Sequence, residues 1–461
     1  MNSPFIYLED IAEEEKPSLE DFRDFSQPYK SLLDFKTVNH KQMLVMAFNL
    51  YSRVQAHGSS VEWTVKGKTK MIDQSPHEFI KNLFSFKEKS IGQYPFLGGG
   101  IGYTGYSYSF QFENLTYPDD DPLDVPDVHL LFHSDYLVFH EHSCQHIHLE
   151  YDHPLEETVI KPVMKKARQC LYLTFGNKHN KYQLSAVHHS NMSKEQFKSG
   201  VDRIRENIME GDIFQAVLSQ RWTGTFSGSA FQYYLDMRKK HPDTYNFYLD
   251  FGTYQLTGCS PERLIAIDKD VIYSNPIAGT RPRGRTTLED ELLMNELKAD
   301  EKERAEHLML VDLARNDLGK ICTKNSIKVR RLMDIEKFQN VMHLVSEVTG
   351  ELEASIHPLD AIKACLPAGT VSGAPKMRAM ELISEYEKEK RAVYGGGIGY
   401  ISQSGGMDFA LAIRTSLIMN GKIHLQSGAG IVYDSLPENE WKETLYKAGL
   451  KEGTRLDFIN R

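Results

Sequence analysis

Two carboxylates and a histidine on one predicted helix are the first residues of this chain whose spacing could do chemistry. Glu303, Glu306 and His307 lie three or four residues apart, so on a helix they share one face. The run 308–314 is apolar at every position but one, which predicts that the helix enters the interior. A charged surface helix with an apolar inner face is the alternative.

A second pair of carboxylates, Glu440 and Glu443, stands near the carboxyl end of the chain at the same three-residue spacing. An ionised carboxylate near a low-dielectric interior needs a cation or hydrogen-bond donors. Two helices that each present such a pair suit a hard six-coordinate cation such as Mg2+, which keeps some of its waters. Each pair taken alone is more typical of solvated surface.

Two loops rich in small residues precede predicted helices. The segment 275–284 contains Gly and Pro and follows a predicted strand, and 367–376 leads into a helix with Pro375 in its first turn. Free backbone N-H groups at such a helix start can hold a carboxylate, although a simple helix cap would look the same.

Histidines form the third group of candidates. The segment 129–151 is predicted to be a β-hairpin that carries His133, His140, His142, His146 and His148. Alternate strand positions share a face, so these residues could hold a metal ion, or they could be exposed strand histidines. A further histidine, His343, lies among apolar residues of a predicted strand and would be structural or functional.

Composition limits the classes of function. The chain has 461 residues, 41% of them hydrophobic and 25% charged, which predicts a globular protein of two subdomains or one large sandwich. A net charge of -9 argues against nucleic acid as the main partner. The five cysteines form no CxxC pair, as expected in a reducing cytosol. The amino terminus is no secretory signal, and no apolar run would span a membrane.

The elements that must position these residues alternate between strands and helices. A capping box at Ser193 begins a helix that ends near Gly211. Tight turns between neighbouring strands predict antiparallel pairing. Strands are predicted at 212–221, 244–250, 254–259, 263–267, 271–275, 340–349, 392–402, 407–418 and 422–427. The hexapeptide GGGIGY occurs at 98–103 and again at 395–400, which suggests two similar strands beside a shared core.

Polarity divides the chain into three parts. Residues 1–152 are predicted to form an amino-terminal region that packs onto a sandwich and has a regulatory role, with 1–30 over the surface. The charged interval 153–190 is predicted to be a linker, and 191–455 a catalytic domain.

Four motifs in the same order resemble those of enzymes that use chorismate, and more narrowly the large subunit of anthranilate synthase. They are Pro276 to Thr280, Glu303 to His307 with Asp312 to Asp317, Ala368 to Lys376, and Gly428 to Gly430 followed by Glu440 and Glu443. The resemblance is dense from about 193 to 450. It implies an α+β fold, a large antiparallel β-sandwich flanked by helices, with chorismate and Mg2+ in a cleft.

The resemblance also implies roles for individual residues. Glu306 and Glu443 would hold Mg2+, supported by Glu303 and Glu440. Glu262 would be the general acid that protonates the departing C4 hydroxyl of chorismate, so burial should raise its pKa. The remaining site residues orient the substrate carboxylates, line the ring or assist proton movement; they are Gln215, Ala278, Gly279, Thr280, His343, Thr370, Tyr394, Arg414, Gly428, Gly430 and Lys447.

The resemblance to the anthranilate synthases implies ammonia as the nucleophile, with anthranilate and pyruvate as products. No cysteine stands in a glutamine-amidotransferase setting, so a separate subunit or the solution must supply ammonia. Relatives that make isochorismate or salicylate carry a lysine where Gln215 stands, and many aminodeoxychorismate synthases carry one where Ala278 stands. Aminodeoxychorismate formation is the alternative reaction, and a non-catalytic metal-binding or scaffold protein is the alternative of another class.

Two segments depart from the pattern of relatives that tryptophan inhibits. Those relatives usually have Leu-Leu-Glu-Ser near the start and Asn-Pro-Ser-Pro-Tyr before a core strand. Here the chain has Leu-Leu-Asp-Phe at 32–35 and His-Pro-Asp-Thr-Tyr at 241–245. Weak or altered inhibition by tryptophan is therefore expected.

Overall fold

A computed structural model describes residues 4–25, 27–84, 96–113, 115–141, 143–172, 181–242 and 244–450. Strands dominate this part of the chain. In chain order they are β1 (Phe5–Ile11), β2 (Ser31–Lys36), β3 (Gln42–His57), β4 (Ser60–Val65), β5 (Lys68–Ile72), β6 (Gly99–Thr104), β7 (Val128–Phe139), β8 (Cys144–Glu150), β9 (Tyr182–Ser190), β10 (Gln215–Gly228), β11 (Tyr245–Asp250), β12 (Tyr254–Ser260), β13 (Arg263–Asp268), β14 (Val271–Ser274), β15 (Ile277–Pro282), β16 (Lys328–Lys337), β17 (Val341–Glu351), β18 (Gly373–Ala374), β19 (Gly397–Ser402), β20 (Met407–Leu411), β21 (Thr415–Met419) and β22 (Lys422–Ile431).

Helices connect and cover the strands. They are α1 (Leu19–Asp24), α2 (Pro76–Leu83), α3 (Glu157–Tyr172), α4 (Lys194–Met209), α5 (Ala230–Lys240), α6 (Thr287–Ala299), α7 (Glu301–Gly319), α8 (Asp360–Cys365), α9 (Lys376–Tyr386) and α10 (Pro437–Lys447). The predicted capping box at Ser193 is present at the start of α4. Within the described ranges, no helix is long and apolar enough to cross a membrane.

The strands join into one extended antiparallel sheet that the helices flank. All pairings between named strands are antiparallel, and β10 lies at a junction where it pairs with β9, β18 and β22. The tight turns between neighbouring strands explain the antiparallel order, because a short connection returns the chain beside the strand it has just left. The predicted fold class is confirmed.

The hydrophobic core has an inner part and two outer parts. The inner cluster joins side chains of β3, β7 and β8 to those of β11, β12 and β19, as expected where two layers of sheet pack face to face. One outer cluster lies under α4, α5, α9 and α10, and the other lies under α2, α7 and α8. The helices that carry the candidate site therefore sit on the outer faces of the sheet.

The two copies of the repeated hexapeptide pair with each other. Strand β6 lies antiparallel to β19, with Gly102 opposite Gly399. A β-carbon on Gly102 would lie 1.9 Å from the carbonyl oxygen of His129, and one on Gly399 would lie 1.9 Å from that of Asp408. Glycine at these positions lets neighbouring backbones approach where no larger residue fits.

Two expectations for the amino-terminal third need revision. The segment 1–30 is not only a surface cover, because β1 pairs with β8 and Phe22 of α1 is completely buried. The interval 153–190, predicted to be a linker, contains α3 and β9, and β9 is hydrogen-bonded to β10. The polar composition of these segments concealed both strands, since local sequence does not show which neighbouring strand each one pairs with. The division of the chain into domains stays a prediction.

Helix α7 is buried along one side only. Leu310, Val311 and Ala314 are buried, whereas Leu308 is 46% exposed. The expected entry into the interior is thus correct for one face. The carboxylates of α7 lie at the border between this buried face and solvent.

Candidate active site

Helices α7 and α10, more than a hundred residues apart in the chain, bring their carboxylates into one region. Burial raises the pKa of Glu306, the negative charges of Glu303 and Glu443 raise it further, and Lys302 opposes them. Glu443 can act on Glu306 in this way only because α10 approaches α7. The side chain of Glu306 makes no hydrogen bond or ion pair within the described part of the chain.

Glu303 is more tightly held than Glu306. Arg281 of β15 donates a hydrogen bond from Nη1 to Glu303 Oε1 at 3.3 Å. The backbone N-H of Glu303 donates to Asp300, the residue that caps the start of α7. A β-carbon on Gly279 would lie 3.2 Å from Glu303 Oε2, so a larger residue there would press on this carboxylate. Glu303 is therefore placed as a support beside Glu306.

Helix α10 holds its two carboxylates in different ways. Burial raises the pKa of Glu440, against a hydrogen bond from Ser435. Glu443 forms an ion pair with Lys447 one turn later, with 2.6 Å between Oε1 and Nζ. The same Nζ donates to the carbonyl oxygen of Gly428 at 3.1 Å.

The carboxylates on these helices fit a hard divalent cation. Carboxylate oxygens come from both α7 and α10. Glu443 already binds one cation, the ammonium group of Lys447. Among the described residues, no three His, Cys, Asp or Glu side chains lie close enough together to enclose an ion. Mg2+ needs no such enclosure, because it binds proteins through one or two carboxylates and completes its coordination with water and substrate oxygens.

A buried acid lies at the start of β13. Glu262 is 7% exposed, and Thr370 Oγ1 donates a hydrogen bond to its Oε1 at 2.9 Å. Burial raises the pKa of Glu262 to about 8, although Thr370 and Lys447 both favour the ionised form. The carboxyl group therefore carries a proton at neutral pH and can act as an acid.

His343 is paired with the bulge of β15. Its Nδ1 lies 3.0 Å from the carbonyl oxygen of Gly279 and 3.1 Å from Thr280 Oγ1. A carbonyl oxygen only accepts, so this contact places the proton on Nδ1 and leaves Nε2 basic. The bulge follows Ala278, and Gly279 adopts a φ of +67°, which favours glycine.

Positive charge gathers near this histidine. Burial lowers the pKa of His343, and Arg414 and Lys447 lower it further. Arg414 itself adopts a φ of 51° between β20 and β21, and its guanidinium has no ion-pair partner within the described ranges. Two cations and a neutral imidazole suit a ligand that carries two negative charges.

Glycines of β22 form one wall of the site. A β-carbon on Gly428 would lie 2.8 Å from the hydroxyl of Tyr394, and one on Gly430 would lie 2.6 Å from Gln215 Nε2. Gly428 pairs with Ser219 of β10, and Gly430 pairs with Val217. Tyr394 and Gln215 are thus packed directly against a backbone surface that can accept a flat ring.

Residues 32–450 match the family described as chorismate binding enzyme. This chain belongs to the chorismate-binding enzymes. The match covers most of the chain, including every residue of the candidate site.

Relatives of this chorismate-binding enzyme share its sequence pattern and its fold. It is 42% identical over 382 residues to the anthranilate synthase component 1 of Lactococcus lactis, which covers 82% of this chain and 84% of the relative. The crystal structure of anthranilate synthase component I from Streptococcus pneumoniae superposes with a TM-score of 0.80 at 37% identity, covering 88% of this chain and 91% of that one. The isochorismate synthase MenF of Escherichia coli has the same fold, with a TM-score of 0.72 at 18% identity over 97% of this chain and 94% of that one.

Two charged residues of this family member were not among the predicted site residues. Lys302 acts electrostatically on both Glu306 and Glu440, and Arg281 holds Glu303. The four-residue spacing between Lys302 and Glu306 is a signal that could have identified the lysine. Arg281 offered no such signal, because its partners on α6 and α7 meet it only in the folded chain.

The histidine hairpin lies outside the site and is built differently from either expectation. The predicted hairpin is present as β7 and β8. His133, His146 and His148 are buried rather than exposed. His146 Nε2 and His148 Nδ1 both contact Asp135 Oδ1, at 2.9 and 2.8 Å, so a carboxylate between them takes the place of a metal ion. His142 lies outside the described residues.

Proposed function

We propose that this enzyme converts chorismate and ammonia to anthranilate, pyruvate and water, with Mg2+ as cofactor. The observation that carries the proposal is the buried carboxyl group of Glu262, hydrogen-bonded to Thr370, in a chain that resembles anthranilate synthase component 1 along most of its length. An acid at this position can turn the C4 hydroxyl of chorismate into a leaving group.

Binding of the substrate falls to the cationic and glycine-rich part of the site. Chorismate is a dianion, and Arg414 can hold one carboxylate through two parallel hydrogen bonds. Lys447 adds a second positive charge beside the backbone of Gly428. The flat ring then lies against Tyr394, Gln215 and the glycines of β22.

In the first chemical step, Glu262 gives its proton to the C4 oxygen as the C4-O bond breaks. Both ring double bonds shift by one position, the nitrogen of ammonia forms a bond to C2, and water leaves from C4. The added nitrogen then loses a proton to solvent to become an amine. Glu262 is left ionised, a form that the hydrogen bond from Thr370 stabilises. Loss of the C2 proton and cleavage of the bond to the enolpyruvyl oxygen then give the aromatic amine and pyruvate. The basic Nε2 of His343 is the candidate to move protons during this elimination.

When bound, Mg2+ would supply a Lewis acid and a template at a substrate carboxylate. Glu306 and Glu443 would hold it, and Glu303 and Glu440 would support it directly or through water. Lys302 would limit the repulsion among these four carboxylates, because its charge acts on Glu306 and Glu440.

We propose a glutamine amidotransferase subunit as the source of ammonia, as the name component 1 of the relatives suggests. A glutaminase nucleophile would need a thiol with a lowered pKa. Burial instead raises the pKa of Cys144 and Cys259 to about 12 and that of Cys322 to about 11. These cysteines suit packing rather than catalysis.

The proposal is tested by incubating the chain with chorismate, Mg2+ and either ammonium or glutamine. We expect fluorescent anthranilate with ammonium, confirmed by chromatography, and no product with glutamine until the amidotransferase subunit is added. Aminodeoxychorismate as the product would replace the proposed reaction with the folate-pathway alternative. Absence of any chorismate turnover would favour a non-catalytic protein.

We expect tryptophan to bind this chain weakly. The two segments that depart from the tryptophan-sensitive pattern meet in the structure, since β2 pairs with β11. Phe35 is 2% exposed, and its ring lies 5.2 Å from that of Tyr245 in a stacked arrangement and 5.8 Å from that of Tyr400. A phenyl ring therefore fills space that a serine would leave open.

Titration calorimetry with tryptophan measures this expectation, and Phe35→Ser is the matched variant. We expect little heat for the wild-type chain and tighter binding for the variant. Micromolar binding to the wild-type chain would contradict the prediction, as would strong inhibition of anthranilate formation. A regulatory role for residues 1–152, the region that contains Phe35, stays a proposal.

A further inference from the structure

Arg391 is a completely buried cation that the proposed reaction does not use. It lies between α9 and β19, is 1% exposed and is among the largest fully buried side chains of the described residues. A charge in such a position needs partners on all sides, so its contacts show which segments depend on it.

One carboxylate neutralises this guanidinium. Arg391 Nε donates to Glu387 Oε2 at 2.7 Å, and Nη2 donates to Oε1 at 2.6 Å. Glu387 is 5% exposed and also accepts a hydrogen bond from the backbone N-H of Ser219 in β10, at 2.7 Å. The pair is therefore attached to β10 through the acid as well as through the base.

The remaining donors of Arg391 hold two segments that carry site residues. Nη1 donates to the carbonyl oxygen of Val371 at 2.6 Å, directly after Thr370. Nη2 donates to the carbonyl oxygen of Val217 at 2.7 Å, two residues after Gln215. These two segments also pair with each other, because Val217 N-H donates to Ser372.

The flat faces of Arg391 contact two tyrosines. Its guanidinium carbon lies 4.5 Å from the ring centre of Tyr106 and 5.6 Å from that of Tyr394. Tyr394 in turn stands against Gly428 in the wall of the site. A single side chain thus touches the loop of Thr370, the start of β10 and the ring of Tyr394.

Stability alone does not account for this arrangement. A buried ion pair is often replaced by apolar residues without loss of stability, since desolvation of the charges offsets their attraction. The planar fork of arginine, however, fixes several acceptors in one geometry, which lysine cannot do. Such a fork suits segments that must keep a set distance from each other.

We infer that Arg391, held by Glu387, is a positioning residue that sets Thr370 and its bonded acid Glu262 relative to Tyr394 and Gln215. The inference rests on the proposed anthranilate synthesis. A displacement of about 1 Å at a reacting group can lower the rate about 100-fold. A substitution that loosens the contacts of Arg391 should therefore change kcat more than KM.

The test compares Arg391→Lys and Glu387→Asp with Arg168→Lys in ammonium-dependent anthranilate formation. Arg168 is the matched control, because it is also a buried arginine, 5% exposed, but its partners Glu9 and His146 belong to β1 and β8. All three variants are expected to lower the melting temperature. For the first two we expect kcat to fall about 10-fold to 100-fold, with KM changed less than about threefold. The control should keep both constants.

Each outcome decides a separate point. A kcat within twofold of wild type in a folded Arg391→Lys variant would overturn the positioning role and leave Arg391 as a stabilising residue. Glu387→Asp keeps both charges and shortens one side chain, so it decides the matter if Arg391→Lys does not fold. An equal loss of kcat in Arg168→Lys would also overturn the inference. Failure of the wild-type chain to form anthranilate would instead reject the proposed function.

Discussion

Replacement of Glu306 by glutamine is expected to abolish Mg2+-dependent anthranilate formation while leaving the fold intact. Glu306 has no hydrogen-bond or ion-pair partner among the described residues, and the negative charge of Glu443 on α10 raises its pKa. Glutamine keeps the shape of the side chain but removes the charge that would bind a hard cation. Lewis-acid stabilisation is worth several kcal/mol, so the rate should fall about 1,000-fold or more.

The measurement is the rate of anthranilate formation over a titration of Mg2+, together with a thermal unfolding curve. Glu301→Gln is the control, since Glu301 is exposed in the first turn of the same helix. It should leave the rate and the Mg2+ dependence unchanged. Removing one charge from a crowded set of carboxylates should not lower the melting temperature of the Glu306 variant. An active Glu306→Gln enzyme with normal Mg2+ dependence would reject the proposed ligand set.

Glu262→Gln is expected to lower kcat by about 1,000-fold, because glutamine cannot donate the proton that the leaving hydroxyl requires. In the wild-type enzyme, the role of Glu262 as an acid predicts an upper pH limit for activity. Burial raises the pKa of Glu262 to about 8, so the carboxyl group is protonated below that pH and ionised above it. We therefore expect kcat/KM to fall as the pH rises through about 8.

The pH profile must be measured at a constant concentration of free ammonia, whose unprotonated fraction rises with pH. The variant Thr370→Val tests the same assignment, because the direction of its effect on the pKa of Glu262 can be predicted. The hydroxyl of Thr370 donates to the carboxylate and favours its ionised form, so its removal should raise the pKa of Glu262 and move the alkaline limb to higher pH. An unchanged or lowered limb in this variant, or an active Glu262→Gln enzyme, would contradict the assignment of the acid.

Local patterns in the sequence predicted much of the fold. The capping box at Ser193 begins α4, and the strands predicted after it are present. However, β15 lies in the segment 275–284 that was predicted to be a loop, and β16 was not predicted. The predicted strand 407–418 is in fact two strands, β20 and β21, separated at Arg414 with its φ of 51°. That break places the arginine side chain in the site, and nothing in the local pattern of residues revealed it.

Weakly patterned segments were predicted less well. The sequence of β1 does not alternate between apolar and polar residues, and β9 follows a charged interval that was predicted to be a linker. The histidines of β8 were misjudged because Asp135, the residue that takes up their polar groups, lies on the neighbouring strand. Burial of a polar residue depends on its partner, and partners on other strands cannot be read from spacing.

What the sequence determined by itself is the chemistry available to this enzyme. The spacing of Glu303 with Glu306 and of Glu440 with Glu443 predicted two carboxylate pairs, because short-range spacing fixes which side chains share a face. The resemblance to the anthranilate synthases implied Glu262 as the acid. Only the tertiary structure decided how these groups act. It buried Glu262 against Thr370, brought α10 to α7, and connected three segments through Arg391. Desolvation and long-range contact set pKa values and distances, and both arise only when distant parts of the chain pack together.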